Sequence, residues 1–346
     1  YLAVVLLASP AHHVALIGVR ALQGTGDTRT PMLINIVANV INISGSIVLG
    51  LGLGPFPRLT ILGVGLATAI AHVFTAVSIL AVMVFDWVDL SLGRPENPTI
   101  TRQLVFIGIP RFAEGMSGTL AAFPLNSILL GFGTEVVAAF HIARRMRQQV
   151  TAPFYRSFST ASSVIVGQTI GAGNLDEADE YGWQTLRLAL VTQLLIGAVI
   201  AVAARPIAAA FGSENLALTV TFVRVFGLGV AGFAVSRTMR GGLRGAGDTR
   251  WPFYGGIIGT YVVRLPIAAL ALPAGYAVTL FTGPLAATLG IAPLVVPLPG
   301  MGLGLVAVFA AILGDMYARA AVNVVRYYSD AWKTVARESG VGASAD

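Results

Sequence analysis

Cysteine is absent from the 346-residue chain. That excludes disulfide scaffolds, thiolate metal sites and cysteine catalysis. Histidine is scarce: His12, His13, His72 and His141. No pair has the spacing of a helical metal site, so zinc chemistry is not expected. Charged residues are also few, at 11%, against about 25% in soluble domains. Lysine occurs once, as Lys333, beside 21 arginines. What fills the chain instead is apolar: 55% of residues are hydrophobic and the mean hydropathy is +0.79. Neither a soluble domain nor a disordered segment has that composition. The net charge of +6 would suggest nucleic acid in a soluble protein. Here basic residues are expected to flank membrane spans on the cytoplasmic side, with the lipid bilayer as partner and no nucleic acid. No Walker motif, triad spacing or paired-acid loop is present, so an enzyme is not expected; an intramembrane enzyme would need acids or histidines meeting at one depth.

A bilayer core of about 30 Å needs roughly 20 apolar residues as helix. Nine such runs occur, near 1–20, 31–53, 61–85, 103–131, 136–167, 185–210, 217–240, 252–272 and 301–325. Runs this long lack the alternation of barrel strands, so the expected class is an all-α integral membrane protein. Alternate loops are rich in arginine: Arg20 and Arg29; Arg94 and Arg102; Arg237, Arg240, Arg244 and Arg250; then Arg326, Lys333 and Arg337. These are expected to face the cytoplasm of a multi-pass plasma-membrane protein, although Asp176, Glu177, Asp179 and Glu180 share that side. Fifty residues from Leu265 to Gly314 carry no charge and are broken by prolines. They suit two spans joined by an outer excursion, with a partly re-entrant segment near 277–290 as the alternative.

One segment is duplicated. Leu22-Gln-Gly-Thr-Gly-Asp-Thr-Arg-Thr-Pro31 returns as Leu243-Arg-Gly-Ala-Gly-Asp-Thr-Arg-Trp-Pro252, with seven of ten positions shared at an offset of 221. Gly63-Val-Gly-Leu66 echoes in Gly302-Leu-Gly-Leu305. Two homologous halves, each a helical bundle, are typical of secondary transporters. The second copy has four spans before it from Arg102 onward, and the first has only 23 residues. Three further spans are therefore expected upstream, in a parent of six plus six, and Tyr1–Leu7 reads as the interior of a longer protein. The motif has local mechanics. Gly24 and Gly26, like Gly245 and Gly247, permit a tight turn. Asp27 and Asp248 can cap the next helix, beside Thr28 and Thr249. Arg29 and Arg250 anchor at the interface, and Pro31 and Pro252 suit a first helical turn. The motif is expected to shape an inner gate without touching substrate.

The motif pair and its context resemble the multidrug and toxic compound extrusion (MATE) family. Asn39-Val-Ile-Asn42, Gly54-Pro-Phe-Pro57 and Gly63-Val-Gly-Leu-Ala-Thr68 resemble that family's fifth and sixth helices. Gly108-Ile-Pro110, the run Gly131–Ala143 and Gly167–Asn174 resemble its seventh and eighth. The resemblance covers nearly the whole chain, as helices four to twelve. It implies two pseudo-symmetric bundles: 1–86 as the end of the N-lobe, 87–101 as a cytoplasmic linker, 102–328 as the C-lobe and 329–346 as a tail. It also implies export of amphipathic, often cationic, drug-like molecules, coupled to H+ or Na+ with no other cofactor. The family's usual acids are missing. Ser46 stands where one branch has the Asp of an Asn-x-x-x-Asp pair begun by Asn42, and Gly118 stands where another has a Glu.

Polar residues inside the spans are the candidate cavity set. Asn35, Asn39, Asn42 and Ser46 share one helical face, and Thr68 is grouped with them. Such a face meets either a neighbouring helix or a watery cavity, and both readings stand open. Asp315, Arg319, Asn323 and Arg326 form a second stripe; Asp315 and Arg319 read as an i,i+4 pair and Arg326 as interfacial. Arg224 and Arg264 read as isolated. Glu114 lies four residues after Pro110 and three after Arg111. It reads either as a proton- or sodium-responsive site or as a static pair with Arg111. A lipid-linked oligosaccharide flippase, or a fragment that transports nothing, are the alternative readings of function.

Overall fold

A computed structural model of the chain describes residues 2–85, 87–88, 90, 93, 98–212, 215–280, 290 and 292–338. The chain divides into two units, Tyr1–Pro98 and Thr99–Asp346. Residues 89, 91–92 and 94–97 of the expected linker 87–101, and the end of the tail, 339–346, lie outside the described residues.

The first unit holds α1 (Leu2–Leu7), α2 (Ser9–Gly24), α3 (Arg29–Leu51) and α4 (Thr60–Val84). Pro10 sits in the first turn of α2, where its missing N–H costs nothing. α3 ends at Gly52, whose φ of 73° is left-handed and whose N–H bonds to Val48 O; a side chain there would meet the backbone of Arg58 at 2.7 Å. α3 and α4 then pack through small residues. A Cβ at Gly63 would stand 2.4 Å from Leu49 O, and one at Gly45 would touch Ala67. Close backbone approach of this kind is how helices associate when lipid removes the hydrophobic drive. Leu22, Ile79, Val82 and Met83 form the interior, while Ile36, Val40, Ile43 and Ile47 point outward.

The second unit begins with α5 (Pro98–Leu120), unbroken by Pro110, and α6 (Ala122–Leu130). The expected 136–167 run is two helices, α7 (Thr134–Val150) and α8 (Ala152–Gly171), interrupted at Thr151 with Pro153 in the opening turn of α8. α9 (Leu175–Val202) and α10 (Ala204–Ala210) follow, then α11 (Leu216–Leu228) and α12 (Val230–Gly245), which bend by 45° at Gly229. α13 (Arg250–Ile257) opens into a π-helical stretch, Ile258–Arg264, before α14 (Leu265–Ala269). Two short strands, β1 (Ala277–Leu280) and β2 (Leu294–Pro297), pair antiparallel, Ala277 opposite Pro297 and Leu280 opposite Leu294. The segment expected to be re-entrant thus starts as a strand, and its remainder, 281–289, lies outside the described residues. α15 (Leu305–Tyr328) and α16 (Ala331–Glu338) complete the unit.

Among the described residues the architecture is all-α apart from that ladder. Among the described residues α3, α4, α9 and α15 are each long and apolar enough to cross a membrane, and α11 with α12 qualifies as one bent span. The other runs are helical but interrupted. In the second unit Phe222 packs edge-on against Phe140 and Phe309, with centroids 5.7 and 5.1 Å away. At the opposite end Trp332 stacks on Tyr327 at 5.1 Å and donates to Tyr327 O. α12 lies directly on α8: a Cβ at Gly241 would reach within 2.2 Å of Ser159 O, and one at Gly245 within 2.4 Å of Ser163 O.

Candidate functional site

The duplicated turn folds the same way twice. Gly26 and Gly247 have φ of 93° and 81°, a region that Cβ disfavours. Their N–H groups bond back to Gln23 O and Arg244 O, at 3.2 and 3.1 Å. In each copy the Asp side chain then receives a backbone N–H three residues ahead: Thr30 N to Asp27 Oδ1 at 3.0 Å, Trp251 N to Asp248 Oδ1 at 3.5 Å. Arg29 N adds a second bond to Asp27. The Thr30 hydroxyl and amide hold the Asp27 carboxyl below the usual range. Thr28 and Thr249 precede the next helices, and Pro31 and Pro252 are buried at their starts. The surroundings differ. Asp248 is 3% exposed and pairs with Arg326 Nε at 2.7 Å, while the Arg326 guanidinium also lies over the Trp251 ring and donates to Ala331 O. Arg326 is therefore a tertiary clamp rather than only an interfacial anchor. Arg250 lies over the Phe106 ring, and Arg29 is exposed.

The amide stripe on α3 splits. Asn42 Nδ2 donates to Thr68 Oγ1 of α4 at 3.5 Å, and Ser46 Oγ donates to Asn42 Oδ1 at 3.4 Å. Both are at the long end of the hydrogen-bond range. Thr68 in turn donates to Val64 O. Asn35 bonds back to Pro31 O at 2.7 Å. Asn35 and Asn39 are exposed on the unit. Among the described residues of this unit, one end of the stripe thus meets a neighbouring helix and the other does not.

Glu114 is bridged by α12: Arg240 Nη1 donates to Oε1 and Arg244 Nη2 to Oε2. These guanidiniums come from 126 and 130 residues away, so they are invisible to local spacing. The Arg111 side chain lies outside the described residues. Tyr261 of the π-helical stretch adds a bond to Ser117 O of α5 at 2.8 Å. Asp315 pairs with Arg319 Nε at 2.6 Å, as the i,i+4 spacing implied, and also with Arg264 Nη1 at 3.2 Å. Arg264 is not isolated. Arg319 donates further to Thr260 Oγ1, and Asn323 Nδ2 to Ser236 O at 3.1 Å. A Cβ at Gly256 would lie 3.3 Å from Glu114 Cγ and 3.9 Å from Arg319 Nη1, so the two carboxylate clusters adjoin. The contributing elements are α5, α12, the π-helical stretch and α15.

Sequence reasoning passed over Arg240, Arg244 and Thr260. Arg240 and Arg244 were placed among the cytoplasmic loop charges because they precede the turn. Their i,i+4 spacing, which puts two cations on one helix face, was the available signal.

The sequence profile of the MatE family matches residues 112–270, the stretch that holds Glu114, Arg240, Arg244 and Arg264. A probable multidrug resistance protein NorM of Thermotoga maritima is 27% identical over 273 residues, 78% of this chain and 58% of that protein. A crystal structure of a MATE mutant matches with a TM-score of 0.81 at 18% identity, covering 97% of this chain and 70% of that one. Sequence and fold are thus both similar to those of MATE proteins. A further relative with a different cargo in its name, the FAD transporter of Shewanella oneidensis, is 26% identical over 204 residues, 58% of this chain and 44% of that protein. The chain spans somewhat more than half the length of the curated relatives it matches. Its apolar outward faces, on α3 for example, suit contact with lipid.

Proposed function

We propose that this chain is part of a MATE transporter that serves secondary active export of amphipathic, drug-like small molecules across the plasma membrane, by antiport against H+ or Na+, with alternating access between two helical bundles. The observation that supports the reading is the charged network packed between the second unit's helices, with Asp315 midway along α15. Charge inside a membrane-spanning bundle is costly and is retained where a solute or ion must be handled. Glu114 is the coupling group in this reading. Its carboxylate ties α5 to α12, and a proton or sodium ion taken up there competes with Arg240 and Arg244 and loosens that tie. An ion that binds one arrangement better than the other shifts the equilibrium between them. Asn35, Asn39, Asn42, Ser46 and Thr68 supply a neutral polar surface to the path. The turns Gly24–Pro31 and Gly245–Pro252 act as stiff hinges at the inner gate.

The test is transport by the protein reconstituted in vesicles, with ethidium as cargo. Export is expected to rise with an opposing proton or sodium gradient and to stop when ionophores collapse it. Export that persists without either gradient contradicts antiport.

A further inference from the structure

Asp176, Glu177, Asp179 and Glu180 stand against the arginine-rich trend of the segments around them, and the charged network leaves them unused. As a run they are the solvated start of α9, where acids suit the positive end of a helix dipole. Asp179 is set apart from the run. Asp179, Trp183 and Arg187 succeed one another at i, i+4 and i+8 on one face of α9. Tyr328 and Asp330, at the corner between α15 and α16, complete the lining of a groove of about 600 Å3. Small-ligand sites occupy about 300–1,000 Å3. The corner is held firmly. Asp330 turns the chain with a φ of 55°, Tyr327 donates to Ala178 O at 3.2 Å, and a Cβ at Gly182 would fall on the Tyr327 hydroxyl. Lys333 of α16 pairs with Asp176 at 3.2 Å and with Asp330 at 3.3 Å.

Rings and an arginine at the end of a span are the usual interfacial anchors of a membrane helix. Anchoring leaves the two carboxylates of the groove unexplained. Asp179 is half-buried. Trp183 steadies its carboxylate, yet Oδ1 forms no hydrogen bond of ordinary geometry among the described residues, so the carboxylate is short of a donor. Arg187 has the converse need. It is exposed and enters none of the ion pairs among the described residues. Beyond Arg187 the same side of α9 turns apolar, with Val191, Leu194 and Leu195 59%, 53% and 64% exposed. Side chains tilt towards the N-terminus of a helix, so the Arg187 guanidinium reaches back towards Trp183. From the start of α9 into the bilayer, the succession is carboxylate, ring, guanidinium, apolar surface.

A phospholipid with an amine head presents the complement in the same order: ammonium, phosphodiester, acyl chains. We infer that the groove holds the headgroup of such a lipid, phosphatidylethanolamine in chemistry. Its ammonium donates to the carboxylates of Asp179 and Asp330 beside the Trp183 ring, whose face attracts a cation. Its phosphodiester lies on the Arg187 fork, which matches phosphate oxygens bidentately. Its acyl chains follow Val191 and Leu194 into the span. A trimethylammonium head has no N–H to give Asp179, phosphatidylglycerol has no cation, and a soluble ester has nothing to cover the apolar surface. The inference needs α9 to lie in a membrane, for which it is long and apolar enough; it does not rest on the export reading.

The experiment is native mass spectrometry of the purified full chain, released from neutral detergent micelles that carry phosphatidylethanolamine, phosphatidylcholine and phosphatidylglycerol in equal amounts with the same acyl chains. The ratio of retained lipids is the readout. Phosphatidylethanolamine is expected to be retained about tenfold over each of the others, the effect of one charge-assisted contact. That comparison uses the parent chain, so it stands even if substituted chains fold poorly. Asp179→Asn should bring phosphatidylethanolamine down to the level of phosphatidylcholine. Arg187→Gln should lower all three lipids together, because all share the phosphodiester. Excess glycerophosphoethanolamine should not compete. Equal retention of the three lipids by the parent, a preference that survives Asp179→Asn, retention untouched by Arg187→Gln, or displacement by glycerophosphoethanolamine would each overturn the inference.

Discussion

The turn Gly24–Pro31 and its copy Gly245–Pro252 share their glycine φ angles and their capping aspartate, yet one is partly exposed and the other is built into a helical bundle. Asp27 spends its carboxylate on the amides of Arg29 and Thr30. Asp248 divides its own between the amide of Trp251 and the guanidinium of Arg326. A Cβ at Gly24 would meet nothing within 4 Å, whereas one at Gly245 would strike Ser163 O. The larger contrast runs in parallel. The first unit carries a neutral amide stripe with long hydrogen bonds, and the second carries carboxylates each clasped by two arginines. Local chemistry has been kept in both halves, while charge has been concentrated in one. The carboxylate clusters therefore lie in the second unit.

Substitutions at matched positions sharpen that contrast. Asp248→Ala should cost the most, about 3–5 kcal/mol, because it leaves the half-buried Arg326 without its anion; thermal unfolding in detergent measures it. Gly245→Ala should cost about 1–3 kcal/mol, since α8 or α12 must shift to admit the methyl, while Gly24→Ala should leave the unfolding temperature nearly unchanged. Equal losses at the two glycines would mean that both turns are packed alike. Asp27→Ala should cost about 1 kcal/mol, the usual worth of a helix cap.

The Asp27 loss has a pH signature. Its folded pKa lies below the unfolded value of 3.8, so its contribution is complete above 3.8 and is lost as pH falls through the lower, folded value. The gap between parent and variant should therefore close only in strong acid, and a gap that closes near neutrality would contradict the capping geometry. The smallest effect is expected at Asn42→Leu. Polar contacts between membrane helices average about 0.6 kcal/mol, and those of Asn42 are at the long end of the range. A large drop in stability there would make the first unit's stripe a packing device and erase the contrast with the second.

How much of this was legible in the sequence follows from distance along the chain. The turns were, because a left-handed glycine and a capping aspartate are decided within a few residues. The Asp315–Arg319 pair was, at one helical turn. The partners of Glu114 were not, since they lie across the fold and were counted as loop charges. Arg264 looked isolated because its partner is 51 residues away. Helix interruptions at Thr151 and Gly229 were hidden inside continuous apolar runs, where composition does not register a bend. The strand at Ala277–Leu280 and the π-helical turn have no local signature that separates them from an apolar helix. The cavity set was only partly assembled: Asn42, Ser46 and Thr68 meet, and Asn35 and Asn39 face outward.

The central claim is that the charged network of the second unit, and not the amide stripe of the first, senses the coupling ion. Glu114→Gln and Asn42→Leu test it side by side, with initial rates of ethidium export from vesicles measured across proton and sodium gradients at matched protein content. The expected result is that Glu114→Gln exports at a rate independent of either gradient, while Asn42→Leu keeps the parent's gradient dependence at a modestly lower rate. A Glu114→Gln protein that follows the gradients as the parent does would contradict the claim.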